Sequence, residues 1–126
     1  NLFLTNQGVV KLGEYGVLPR TKRPNGNRAT LWHMAPEGFK GEMELKSDVW
    51  SLGISLFELA CRRRAYSSSE RNPEETIPNF YPSSLSEDEW SAPFCDFLSK
   101  CLEKDVNQRA SVSELKDVGT RGENDE

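Results

Sequence analysis

The residues best suited to soft-metal or redox chemistry are Cys61, Cys95, Cys101 and the single histidine, His33. Their spacing argues against both. No two cysteines form a C-x-x-C pair and His33 is remote in sequence from all of them, whereas a structural zinc site needs four N or S ligands in clustered pairs. An odd number of cysteines closes no disulfide framework, so the natural reading is reduced thiols in a cytoplasmic protein. A second concentration of chemistry is Thr21 among Arg20, Lys22, Arg23 and Arg28. A hydroxyl amid cations is a candidate phosphosite, because a phosphate brings about two negative charges that neighbouring Arg or Lys can receive. A plain loop threonine beside a solvated basic face is the commoner outcome, and that alternative stays open.

The elements that must carry these residues can be read from pattern. Leu2-Phe3-Leu4-Thr5 and Val9-Val10-Lys11-Leu12 are short β-prone runs flanking the turn-like Asn6-Gln7-Gly8, which predicts a small hairpin. From Glu14 to about Arg28 the pattern dissolves into Gly, Pro, Asn and basic residues, a long loop. Ser47-Asp48 opens a helix with Val49, Trp50, Leu52, Ile54, Leu56, Phe57, Leu59 and Ala60 apolar nearly all round, so it should be buried on most sides. Arg62 to Pro82 reads mostly as loop. Phe94, Phe97, Leu98, Cys101 and Leu102 repeat at helical spacing, with Ser91 as the expected N-cap and Pro93 in the tolerated first turn. Ser111-Val112-Ser113-Glu114 has capping-box spacing and predicts one more short helix. The last residues are polar and are expected to be disordered.

Composition bounds what such a chain can do. Its 126 residues suit one domain or part of one, and a 36% hydrophobic fraction with three Trp supports a modest core. The mean hydropathy of −0.67 marks a largely polar surface. A net charge of −4 argues against a nucleic-acid or anionic-membrane binder. No apolar run reaches the length of a membrane span, and the start has neither a basic n-region nor a small-residue cleavage site. With no initiator Met, the chain is expected to begin within something longer.

In chain order, four segments carry a family resemblance. They are Lys11-Leu12-Gly13-Glu14-Tyr15-Gly16, Trp32-His33-Met34-Ala35-Pro36-Glu37, Ser47-Asp48-Val49-Trp50-Ser51-Leu52-Gly53-Ile54, and Cys101 through Arg109. They resemble the K-[LI]-x-D-F-G, W-M-A-P-E, S-D-[VI]-W-S-[LF]-G-[IV] and C-L-x-K-D-P-x-x-R segments of eukaryotic protein kinases. The style is closest to Ser/Thr kinases of the sterile and mitogen-activated-cascade type, and the Asn-x-Phe-Leu-Thr start is also similar to mitotic Nek-like kinases. The resemblance implies an α+β, protein-kinase-like fold: a mostly helical C-terminal lobe with an N-terminal β-hairpin. Residues 1–117 would be a partial kinase domain from the catalytic-loop Asn onward, and 118–126 a polar tail.

The resemblance also implies roles, position by position. Asn1 falls at the catalytic-loop Asn and Glu14 at the D-F-G Asp, the two magnesium ligands that hold ATP phosphates in the family. Glu14 is a departure: its carboxylate sits one methylene further out, and magnesium demands near-ideal octahedral geometry at about 2.0–2.1 Å. Tyr15 for Phe keeps a ring but adds a hydroxyl. Thr30 stands at the substrate-loop Thr. Glu37 and Arg109 resemble the buried pair that fixes the end of the activation loop. Asp48 matches the Asp that accepts hydrogen bonds from the catalytic-loop backbone, although an N-terminal Asp favouring the helix dipole looks the same in sequence. His33 takes a position usually filled by an aromatic and is assigned packing rather than catalysis. Arg62 and Ala65 replace a common Gly and Pro after the central helix, and Val106 and Ala110 replace common prolines near Arg109.

A working kinase also needs a glycine-rich loop, a strand Lys and an H-R-D aspartate, and the sequence contains none of them. The expectation is therefore part of a Ser/Thr kinase domain, inactive by itself, whose parent uses ATP and Mg²⁺ and engages a protein substrate or regulatory protein. The alternative is a pseudokinase-type scaffold or regulatory module, to which Glu14 points. An isolated lobe of this kind is expected to be poorly soluble or partly molten.

Overall fold

The structure, a computed structural model, describes residues 1–13, 31–66 and 72–121. Leu2–Leu4 (β1) and Val10–Leu12 (β2) pair antiparallel with Leu2 opposite Leu12, Phe3 opposite Lys11 and Leu4 opposite Val10. The turn closes through Thr5 N–H to Val9 O at 2.9 Å and Val9 N–H to Thr5 Oγ1 at 3.1 Å. Gly8 takes φ +80, the left-handed conformation that glycine adopts without penalty. Both faces of the hairpin are exposed, with Leu4 at 73% on one and Phe3 at 57% on the other.

A 3₁₀ helix, Pro36–Lys40, comes next among the described residues. The central helix α1 spans Ser47–Cys61, starting where the Ser47-Asp48 signal placed it. Trp50, Ile54 and Phe57 are fully buried along one stripe and Val49 nearly so. Burial is narrower than the all-round apolar pattern suggests: Leu52 and Leu56 are half-buried and Leu59 is 70% exposed. The helix stops at Arg62, a non-glycine residue at φ 52, ψ 34.

A second helix, α2 (Pro73–Asn79), occupies part of the stretch expected to be loop. The correction has a local cause. Asn72 Oδ1 accepts the Glu74 N–H at 3.1 Å, Pro73 fills the first helical position, and Glu74 and Glu75 stand in the first turn where the dipole favours them. Thr76 and Ile77 then bury against the core, and Pro78 sits in the final turn.

Helix α3 is Ala92–Cys101, with Ser91 at the N-cap position in extended conformation but without a side-chain cap bond. Helix α4 is Val112–Arg121. It starts with the expected reciprocal box, Ser111 N–H to Glu114 Oε2 at 2.7 Å and Glu114 N–H to Ser111 Oγ at 3.2 Å. It continues four residues beyond the boundary expected at 117, through Gly119, whose cost of about 1 kcal/mol does not end it.

The main core gathers Ala35, Trp50, Ile54, Phe57, Ala65, Tyr66, Ile77 and Leu98 around α1. A smaller cluster of Val49, Cys101, Ala110 and Leu115 joins α1, α3 and α4. Helices α1 and α3 approach closely because position 53 is glycine. A Cβ there would lie 2.7 Å from Cys101 Cβ and 2.9 Å from Leu102 Cδ2. Among the described residues no helix is long and apolar enough to cross a membrane.

Candidate functional site

The hairpin register brings the first candidate into place. Asn1 O accepts the Gly13 N–H at 2.9 Å, so the strand pairing holds Asn1 opposite the residue that precedes Glu14. Asn1 is exposed. Glu14, Thr21 and Thr30 lie outside the described residues. An amide oxygen and a carboxylate are hard donors of the kind magnesium accepts, and magnesium commonly takes only one or two protein ligands. The donor types thus fit the ion, whereas the longer reach of Glu14 is the point of mismatch. Among the described residues no three His, Cys, Asp or Glu gather as a metal site.

The second candidate pair is assembled across 72 positions of sequence. Arg109 Nη1 donates to Glu37 Oε1 at 2.6 Å and Nη2 to Glu37 Oε2 at 3.0 Å, a bidentate fork. The remaining guanidinium hydrogens are used as well. Nε reaches Glu103 O at 2.8 Å, Nη1 Lys46 O at 3.0 Å and Nη2 Lys104 O at 3.4 Å. All five N–H donors of the arginine are therefore engaged. The guanidinium also stands 5.3 Å from the Trp50 ring centroid. The Arg109 side chain is 0% exposed and that of Glu37 8%, which makes the pair a buried one.

Ser47 completes this node, a role its sequence position as a helix opener did not reveal. Its Oγ donates to Glu37 Oε1 at 2.7 Å and accepts the Glu44 N–H at 2.9 Å. The node therefore ties the 3₁₀ helix, the start of α1 and the segment before α4 to one carboxylate. Burial alone pushes the Glu37 carboxyl up. Hydrogen bonds from Arg109, its own backbone and Ser47, with the Arg109 charge, outweigh that and hold it below the ordinary glutamate value.

Asp48 stands exposed in the first turn of α1 and has no hydrogen-bond partner among the described residues. Its position suits the helix dipole. His33 does more than pack: its Nε2 lies 2.9 Å from Glu58 Oε2, and its carbonyl accepts Ser51 Oγ at 2.7 Å. Nothing local in the sequence pairs His33 with Glu58, 25 positions away.

The family comparison agrees with the order of these motifs. A model of the protein kinase domain matches residues 1–118. The chain is 37% identical over 127 residues to serine/threonine-protein kinase dst2 of Dictyostelium discoideum, covering 91% of this chain and 11% of that protein. It is 36% identical over 124 residues to serine/threonine-protein kinase ppk11 of Schizosaccharomyces pombe, covering 91% and 39%. To serine/threonine-protein kinase Tao of Drosophila melanogaster it is 35% identical over 120 residues, covering 91% and 12%. The chain thus spans well under half the length of these curated relatives. With a two-stranded antiparallel sheet and four α-helices among the described residues, it is an α+β portion of that fold, and it belongs to the protein kinase domain family.

Proposed function

We propose that this chain supplies the lower part of the active site in a cytoplasmic Ser/Thr kinase that transfers the ATP γ-phosphoryl group to protein hydroxyls. The observation that carries the reading is the Asn1–Gly13 pairing at 2.9 Å. It supports the reading because it pairs Asn1, one proposed oxygen donor, with Gly13, the residue that precedes the other, Glu14, in sequence. Magnesium, when bound, neutralises charge on the nucleotide phosphates. Asn1 and Glu14 would hold it, Thr30 would face the protein substrate, and the Glu37–Arg109–Ser47 node would keep that segment's end fixed to α1. Thr21 is proposed as the loop's phosphosite. Residues 1–117 form the kinase part and 118–126 a polar tail, whose first four residues continue α4.

The 126 residues alone transfer no phosphoryl group, because no H-R-D aspartate, strand Lys or glycine-rich loop is among them. A pseudokinase-type scaffold is the second reading, favoured by Glu14 in place of Asp. Both are tested by assaying ATP-dependent phosphorylation of a generic protein substrate by the full-length protein, beside Glu14→Asp and the 126-residue chain. Activity in the full-length protein, raised by Glu14→Asp and absent from the short chain, supports the kinase. Absence from the full-length protein and its Glu14→Asp variant, with no magnesium-dependent nucleotide binding, supports the scaffold. Turnover by the short chain would falsify its assignment as inactive.

A further inference from the structure

Glu58, in the last turns of α1, directs its two carboxylate oxygens to two different stretches of chain. Oε2 lies 2.9 Å from His33 Nε2, and Oε1 accepts the Ala65 backbone N–H at 3.3 Å. A carboxylate can only accept, so the His33 Nε2 carries the hydrogen in this contact. The bridge is partly shielded, with the His33 and Glu58 side chains 29% and 20% exposed, where a hydrogen bond keeps more of its strength than in water. The two stretches meet again one residue away on each side. The Trp32 ring approaches the Tyr66 ring at 5.8 Å between centroids, and Ala65 and Tyr66 are buried at 1% and 7%.

We propose that His33 and Glu58 form a positioning link that couples the segment ending at Glu37 to the loop 62–66, so that a displacement of either is felt by the other. The head of that loop, Arg62 to Arg64, is exposed, so the link ties a surface turn to the segment. A purely packing role for His33 needs only a ring of the right shape; the link needs a hydrogen-bond donor at Nε2. The inference rests on the placement of these residues and not on catalytic activity, so its test reads structure and not turnover.

The test is amide hydrogen exchange on the full-length protein that carries this chain, with mass spectrometry of peptides covering 31–36, 50–57 and 62–66. His33→Phe keeps a ring and removes the donor. It is expected to speed exchange in 62–66 by about three- to tenfold, the worth of one hydrogen bond, while 50–57 stays unchanged. His33→Gln, whose side-chain N–H reaches about as far, is expected to return exchange to within about twofold of the parent. Ala65→Pro removes the N–H at the other end, and exchange in 31–36, where Met34 N–H is held by Leu31 O at 3.1 Å, is expected to rise by a similar factor. Unchanged exchange in 62–66 for His33→Phe overturns the link, as does equal acceleration in His33→Phe and His33→Gln. Acceleration spread over 50–57 in all three variants also overturns it, since that marks general loosening.

Discussion

Replacing Arg109 by Met keeps an apolar stem of similar length, deletes every donor of the guanidinium and removes the cation from over Trp50. The loss can be worked from the contacts. Glu37 is left as a carboxylate 8% exposed, with the Ser47 hydroxyl at 2.7 Å as its remaining side-chain donor. Breaking a buried pair by removing one member costs about 3–5 kcal/mol because the surviving charge is uncompensated. The carbonyls of Glu103, Lys46 and Lys104 also lose their guanidinium donor. Glu37→Gln is the milder change: the amide keeps shape and one acceptor, Arg109 keeps its three carbonyls, and the cost is about 1.5–3 kcal/mol. Urea unfolding of the full-length protein, extrapolated linearly, measures both. Against a typical domain stability of about 5–15 kcal/mol, the arginine variant can fall below the fold's threshold, so Arg109→Lys serves as an intermediate. A loss below about 1 kcal/mol for Arg109→Met, or a Glu37→Gln loss larger than it, would refute the buried-charge reasoning. Replacing both residues by apolar ones is expected to remain destabilising, because three backbone acceptors are served by this arginine and none by its replacement.

The lowered Glu37 carboxyl makes a contribution that is complete above the ordinary glutamate value of about 4.3 and is lost as pH falls below it toward the folded-state value; acid unfolding of Glu37→Gln should lack that component of the decline. Gly53→Ala should destabilise by about 1–3 kcal/mol through overpacking against Cys101 and Leu102, despite alanine's better helix propensity, and a thermal melt that rises instead would contradict the close α1–α3 approach. Burial pushes the Cys101 thiol up to about 11, with the Arg109 charge opposing. At pH 8 a thiol reagent should therefore label Cys101 at least about tenfold more slowly than the half-buried Cys61 and Cys95, and equal rates by peptide mapping would contradict it.

The residues reveal whatever local pattern or motif register decides. The hairpin, the start of α1, the helical repeat in α3 and the Ser111–Glu114 box all depend on neighbours within a few positions. The Glu37–Arg109 pair is legible only through motif resemblance, since nothing local links residues so distant. Helix α2 escapes a reading by pattern although its signal is present: Asn72, Pro73 and Glu74-Glu75 are a helix start, and Pro78 and the surrounding serines mask it. The partial exposure of α1 is not legible either. An apolar pattern tells what a helix can bury, and only the arrangement of its neighbours decides which faces are covered, as Leu59 at 70% exposure illustrates. The bridge from His33 to Glu58 is invisible for the same reason as the arginine pair, without a motif to compensate.

At Arg62 a residue with a Cβ sits in the left-handed conformation, φ 52, against a local cost of about 1–2 kcal/mol. The path of the chain is imposed by the residues just beyond the turn. Arg63 lies 5.1 Å over the Phe57 ring and bonds Ser83 Oγ at 3.3 Å, and Ala65 and Tyr66 are sealed in the core. Route and wording are thereby separable at this corner. Charge at Arg62 and Arg64 can be rewritten without rerouting the chain, whereas Arg63 also anchors it through Phe57 and Ser83, so a new electrostatic face can be tried on this bend at two of its three arginine positions.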